Sequence, residues 1–186
     1  MRKILLASFF VLASSFSLFA QKSSDDKLDV FGGYSYVRFN PGQGASAINQ
    51  NGWESMANFK LTPVFGIAAD VDGTYKSQNG AKNSIYTYLF GPQFKIGDNK
   101  GALFVHGLMG FAHDNVSSNI LGTNVSVSDN AFAMAFGGGY DWRASQAMSI
   151  RLCQFDYLVT RFSSSTQNNI RLSFGVTFHP KFGRGL

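Results

Sequence analysis

The residues of this chain whose types suit chemistry are few and dispersed. Glu54, Lys60, Asp70, Asp72, Lys95, His106, Asp141, Arg151 and Arg171 share the polar side of segments in which apolar and polar residues alternate. Charges gathered on one face of a confined space must be paired or hydrated to be tolerable. Acyl transfer through a serine nucleophile requires a histidine base beside it. The histidines are His106, His113 and His179, and none has a serine two residues away that would share its strand face. Catalysis is therefore not expected, and the spacings suggest neither a cofactor nor a metal site. Gly137, Gly138 and Gly139 do not open a helix, so they read as close-packing strand residues, not as a nucleotide loop. Cys153, the single cysteine, permits no internal disulfide and is expected to face the interior or a neighbouring side chain.

The elements that carry these residues follow a period of two from about residue 28 onward. At Ala131 to Trp142, Phe132, Met134, Phe136, Gly138, Tyr140 and Trp142 share one face, opposite Ala131, Ala133, Ala135, Gly137, Gly139 and Asp141. The last segment sets Ile170, Leu172, Phe174, Val176 and Phe178 against Asn169, Arg171, Ser173, Gly175 and Thr177. Six more segments fall near Leu28 to Phe39, Trp53 to Thr62, Phe65 to Tyr75, Tyr86 to Ile96, Leu103 to His113 and Met148 to Phe162. Short turns at Thr62-Pro63, Gly97 to Gly101 and Arg143 to Gln146 alternate with longer polar stretches at Asn40 to Gly52, Lys76 to Asn83, Asp114 to Ser128 and Ser163 to Asn168. Three short turns and four long loops join eight strands and leave both termini on the short-turn side.

The chain opens with basic Met1-Arg2-Lys3, an apolar run from Ile4 to Leu12 and small residues before Ala20. Those are the parts of a cleavable secretory signal, so residues 1–20 are expected to be a signal peptide cut after Ala20, with 21–186 forming one barrel domain and a short C-terminal tail. Without Arg2 and Lys3 the basic count falls from 16 to 14 against 11 acidic residues, a net charge of +3. Lys and Arg are scattered singly, unlike the stripe of a nucleic-acid protein, so no nucleic-acid partner is expected. No run in the mature part is long and apolar enough for a transmembrane helix. A membrane role would have to use strands.

Alternation alone does not say which face points inward, since a soluble lipocalin-like barrel alternates too. Three features favour an apolar exterior. Strands of roughly 10 to 13 residues exceed the soluble norm of about 5 to 6 and suit a tilted membrane crossing. The polar face is rich in Gly, Ala and Ser, which fit a narrow lumen. Tyr34, Tyr36, Trp53, Tyr75, Phe94, Phe111, Tyr140, Trp142 and Phe178 lie near strand ends, where interfacial aromatic girdles sit. The expected fold is all-β, an eight-stranded antiparallel up-and-down transmembrane barrel.

Val30-Phe31-Gly32-Gly33-Tyr34-Ser35-Tyr36, Phe136-Gly137-Gly138-Gly139-Tyr140-Asp141, Arg151 with Asp156-Tyr157, and the closing Phe174-Gly175-Val176-Thr177-Phe178 carry a family resemblance. On these residues the whole mature chain resembles the small bacterial outer-membrane barrels of the OmpA-like, OmpX-like and OmpW-like group. The nearest likeness is to the outer membrane protein beta-barrel domain family. The resemblance implies the outer membrane of a Gram-negative cell, both termini in the periplasm, and outer-membrane lipid and lipopolysaccharide as surroundings. It also implies a barrel-assembly machinery that reads Phe174, Val176 and Phe178 as an assembly signal, with His179 to Leu186 extending past it. No peptidoglycan-binding domain is expected after the barrel.

Strand direction divides the lumen charges into two groups. Glu54, Asp70, Asp72 and Arg171 are expected in the middle to outer half, and Lys60, Lys95, Asp141 and Arg151 towards the periplasm. Asp156 falls out of phase with Arg151, so either a β-bulge intervenes or Asp156 faces headgroups. Arg38, Lys76, Lys82 and Arg161 fall at the long-loop ends of their strands, placed to meet glycolipid phosphates. His113 reads as a strand-end histidine at the same interface. The functional expectation is a structural or surface-interaction barrel whose loop-bound partner the sequence does not name. Its alternative is a narrow channel for ions or small, apolar solutes.

Overall fold

In a computed structural model, which describes residues 27–40, 46–78, 81–120, 123–162 and 165–180, the chain forms eight strands. They are β1 (Leu28–Phe39), β2 (Ile48–Lys60), β3 (Phe65–Gln78), β4 (Ala81–Gly97), β5 (Gly101–Ile120), β6 (Thr123–Arg143), β7 (Met148–Phe162) and β8 (Ser165–Phe178). Each pairs antiparallel with the next, and β8 pairs with β1 to close the barrel, with Val30 opposite Phe178 and Tyr34 opposite Phe174. Closure removes every sheet edge, so the backbone ladder satisfies itself. The expected signal peptide and the end of the tail lie outside the described residues.

Alternation sorts the side chains into two faces, and the sorting is inverted relative to a soluble protein. Phe90, Leu103, Val105, Phe111, Phe132, Phe136 and Phe174 stand exposed on the outside, while Glu54, Asp70, Asp72, Arg151 and Arg171 are buried within. That is the arrangement of a strand barrel in lipid. Aromatic side chains link across the strands as a band. Tyr34 lies 5.2 Å from Phe174, the Trp53 indole N–H donates to the Tyr75 hydroxyl at 3.1 Å, Tyr75 meets Tyr86 edge-on, and Tyr88 stacks on Phe111 at 5.1 Å. Gly73 lies under this band, where a Cβ would press on both the Trp53 indole and the Tyr86 ring.

The strands run further than alternation predicts. Asp114 to Ser128, expected as a loop, is mostly ladder: β5 and β6 stay in register up to Ile120 opposite Thr123. Likewise β2 begins at Ile48, β3 reaches Gln78, β4 begins at Ala81 and β8 begins at Ser165. Beyond the apolar slab the outward face no longer needs apolar residues, so the period-two signal fades while the hydrogen bonding continues. At the opposite end the turns are tight. The Asp98 carboxylate accepts the backbone N–H groups of Lys100 at 2.8 Å and Gly101 at 3.1 Å. Those two bonds, the one from Lys100 first, hold its pKa below the ordinary carboxylate value.

Two irregularities shape the interior. In β7 the register shifts between Arg151 and Gln154 on one side and opposite Tyr140 and Asp141 on the other. Leu152 and Cys153 consequently both face outward, and the phase of the strand inverts, so that Arg151 and Asp156 are both buried. This is a β-bulge. It corrects the expectation for Cys153, which is exposed on the outer face. In β4 the ladder to β5 passes from Phe90–Met109 to Gln93–His106 without pairing Gly91 and Pro92. Pro92 has no N–H to donate.

Candidate functional site

The polar face of the barrel is its interior, and its charges form two clusters. The central one is built on Arg171 from β8, which is 0% exposed. Its Nη2 meets Asp70 Oδ2 and Asp156 Oδ2, the latter at 2.7 Å, and its Nε donates to Asp156 Oδ2 at 2.9 Å. Glu54 and Asp72 each place an oxygen 3.7 Å from the same guanidinium. His106 Nε2 lies 2.8 Å from Asp156 Oδ1. Gly137 of β6 stands opposite both His106 and Asp156 in the ladder, and a Cβ there would collide with the Asp156 carboxylate. The contact between β5 and β7 therefore crosses over a residue with no side chain.

Neutral donors add to this cluster, while among the described residues Asp70 Oδ1, Arg171 Nη1 and His106 Nδ1 have no hydrogen-bond partner. Gln154 donates to Glu54 at 2.8 Å and to Asp156 at 2.7 Å, Ser173 donates to Glu54, and Thr87 donates to Asp72. Four carboxylates thus lean on one guanidinium, one imidazole and three uncharged donors. Bonding of this kind offsets part of the cost of removing the charges from water.

The second cluster occupies the short-turn mouth. Asp141 accepts from Arg151 Nε at 2.9 Å and from Lys95 Nζ at 2.7 Å. Asp29 is met by Lys60 at 2.6 Å and Lys95 at 3.0 Å. The Arg151 guanidinium lies between two rings, 4.0 Å from the Phe31 centroid and 4.2 Å from that of Phe104, and also donates to the Gln154 amide oxygen. Gln154 therefore bridges the two clusters.

The structure places all nine sequence-derived lumen residues, Glu54, Lys60, Asp70, Asp72, Lys95, His106, Asp141, Arg151 and Arg171, on the interior side and divides them between the clusters. It adds Asp29, Gln154, Asp156 and His179. His179 lies just past β8, with Nε2 2.7 Å from Ser149 Oγ and Nδ1 2.6 Å from Asp29 Oδ1. The same-strand spacing rule missed this chain of three, because closure brings together the starts of β1 and β7 and the end of β8. A survey of polar residues by barrel end would have grouped them. At the other end, Arg38, Lys82 and Arg161 are exposed and Lys76 is half-buried. His113 bonds Asn130 at 2.7 Å.

The rest of the interior mixes buried polar residues, among them Gln50, Thr74, Thr160, Gln167 and Asn169, with an apolar cluster. Leu89, Leu108, Ala112, Ala131, Ala133, Ala135, Leu158 and Phe162 pack with Phe31, Met56 and Ala68 as one buried cluster. Among the described residues no group of acidic, histidine and cysteine side chains is placed to hold a metal ion.

A closed eight-stranded barrel with an apolar exterior and a charged, filled interior is the fold of small bacterial outer-membrane barrels. Solved structures with this fold include Ail, the attachment invasion locus protein of Yersinia pestis (18% identity, TM-score 0.61, covering 81% of this chain and 97% of that one). They also include Neisserial surface protein A (8%, TM-score 0.62, 86% and 100%) and the N-terminal barrel domain of Pseudomonas aeruginosa OprF (10%, TM-score 0.50, 82% and 97%). Ail has also been solved with the heparin analogue sucrose octasulfate (19%, TM-score 0.60, 81% and 97%). No family model matches the chain, and no curated protein does.

Proposed function

We propose that this chain is an integral outer-membrane barrel whose interior is a structural plug and whose long-strand end is a contact surface. The observation that supports this reading is the filled lumen: Arg171, Arg151, Gln154, Phe31 and Phe104 reach inward at successive levels and touch partners from several strands. Eight strands enclose a space that inward side chains can fill. With the interior committed to packing and pairing, the projecting end is where a partner binds. In this reading residues 1–20 are removed on export, both termini lie in the periplasm, and Phe174, Val176 and Phe178 guide assembly.

The contact chemistry proposed for the projecting end is anionic sugar. Arg38, Lys82 and Arg161 are exposed there, with Lys76 half-buried beside them, and charge-assisted bonds from such groups to phosphate are among the stronger hydrogen bonds. The crystallisation of Ail with a sulfated sugar agrees with that chemistry. Neutralising all four cations should lower the lipopolysaccharide that co-purifies with the barrel. Unchanged retention would show that the cationic rim does not hold lipopolysaccharide. Fractionation tests the location: the folded chain should sediment with outer membranes, and a folded, detergent-free soluble form would contradict it.

A further inference from the structure

The strands do not end together at the long-strand end, and their unequal lengths leave a projecting sheet with two edges. On one side β2 pairs with β3 only as far as Asn51 opposite Tyr75, while β3 runs on to Gln78 beside β4. On the other side β7 joins β6 first at Phe132 opposite Arg161, while β6 begins at Thr123 and follows β5 from there. Among the described residues, β5 is thus the one strand beside β6 from Thr123 to Ala131.

An edge of this kind presents backbone N–H and C=O groups to any extended chain, and proteins ordinarily blunt it with lysine, proline or a bulge. The β3 edge carries Lys76. The β6 edge holds no lysine, arginine or proline, its ladder with β5 is regular up to Ile120 opposite Thr123, and Ser126 to Asn130 are exposed. Val127 is 66% exposed and stands opposite Val116. Valine and threonine favour strands, so the segment holds the extended form that an added strand needs.

The sequence of this edge points to its occupant. Thr123-Asn124-Val125-Ser126-Val127-Ser128-Asp129 is close to symmetric about Ser126. Two such strands paired antiparallel about a two-fold axis through Ser126 set Ser126 against itself, Val127 against Val125, Ser128 against Asn124 and Asp129 against Thr123. Asp129, the single charged residue from Thr123 to Ala131, then meets a threonine position and not a second carboxylate. Like charges directly opposite would destabilise the pair. Because β6 runs from the projecting tip towards the membrane, two copies in one membrane run the same way. Antiparallel pairing joins copies that face each other from apposed membranes.

We propose that the projecting edge of β6 binds a second copy of this chain on an apposed membrane, by antiparallel strand pairing centred on Ser126. The sheet of one barrel continues into that of the other. The inference takes from the proposed function only that the long-strand end is a contact surface, and asks nothing of the cationic rim.

Phosphatidylcholine vesicles free of lipopolysaccharide, carrying the full folded barrel, test this by turbidity. The gel shift between folded and heat-denatured barrel verifies folding of every variant. Wild-type vesicles should cluster. Ser126→Lys vesicles alone and Ser126→Glu vesicles alone should stay dispersed, since each charge meets its own copy, and mixing the two populations should restore clustering. Asn130→Lys, at a position that does not oppose itself, should cluster as wild type does. Directly opposed Cα atoms lie about 4.5–5.5 Å apart, within disulfide reach. In a Cys153→Ser background, oxidation should therefore link Ser126→Cys into dimers and leave Asn130→Cys monomeric. Dispersed wild-type vesicles overturn the proposal and leave the edge to a strand of a different protein. Clustering that is indifferent to the charge at Ser126 overturns it as well.

Discussion

The two charge clusters differ in how their acids are partnered. At the mouth, Asp29 is held by Lys60 and Lys95, and Asp141 by Lys95 and Arg151, so each carboxylate has two cations. At the centre, Glu54, Asp70, Asp72 and Asp156 converge on the single guanidinium of Arg171, and of these Asp156 alone also meets His106. The mouth has redundancy and some contact with solvent. The centre has one cation at its hub and neither redundancy nor contact with solvent, so stability should depend on which cation is removed more than on how many salt bridges each one makes.

Removal of the hub should produce the largest effect. Arg171→Ala is expected to destabilise the barrel by about 3–5 kcal/mol, the cost of leaving buried charge unpaired, measured by urea unfolding in detergent. Adding Asp70→Asn should recover part of that loss, because one stranded carboxylate is gone. A charge placed on the outer face probes the contrast between a paired interior and lipid. Phe174→Arg or Met134→Arg should cost about 2–4 kcal/mol in a bilayer, and a negligible loss would favour a soluble barrel.

Arg151→Ala should cost less than Arg171→Ala, about 2 kcal/mol, chiefly the desolvated stacking on Phe31 and Phe104. Asp141 keeps Lys95 in that variant. Lys60→Ala should cost below about 1 kcal/mol, since Lys60 is partly solvated and Asp29 retains Lys95. If Lys60→Ala or Arg151→Ala proved as costly as Arg171→Ala, the distinction between redundant and single-hub clusters would fail.

Much of this architecture is legible in the sequence because a closed barrel enforces alternation wherever one face meets an apolar surrounding. Phe132 to Trp142 and Ile170 to Phe178 announce their faces directly, and Glu54, Asp70 and Arg171 follow from parity. Asp156 does not, because the bulge at Leu152 and Cys153 shifts the phase and a period-two rule has no term for an extra residue. The same bulge misplaces Cys153. Gln154 escapes notice because an uncharged amide draws no attention until Glu54, Asp156 and Arg151 surround it. The long ladders of β5 and β6 are hidden because polar residues predominate on both faces once the strand leaves the apolar band, with Val116 and Val127 among the exceptions. Asp29, Ser149 and His179 lie at strand ends separated by up to 150 positions, and only closure makes them neighbours.

Planar-bilayer recording of the purified barrel shows whether paired charge closes the lumen. Wild-type protein should show no steady conductance, and Arg171→Ala should show transient openings as the stranded carboxylates repel one another and draw in water. Steady conductance from wild type, unchanged in Arg171→Ala, would contradict the plugged interior and establish a channel in its place.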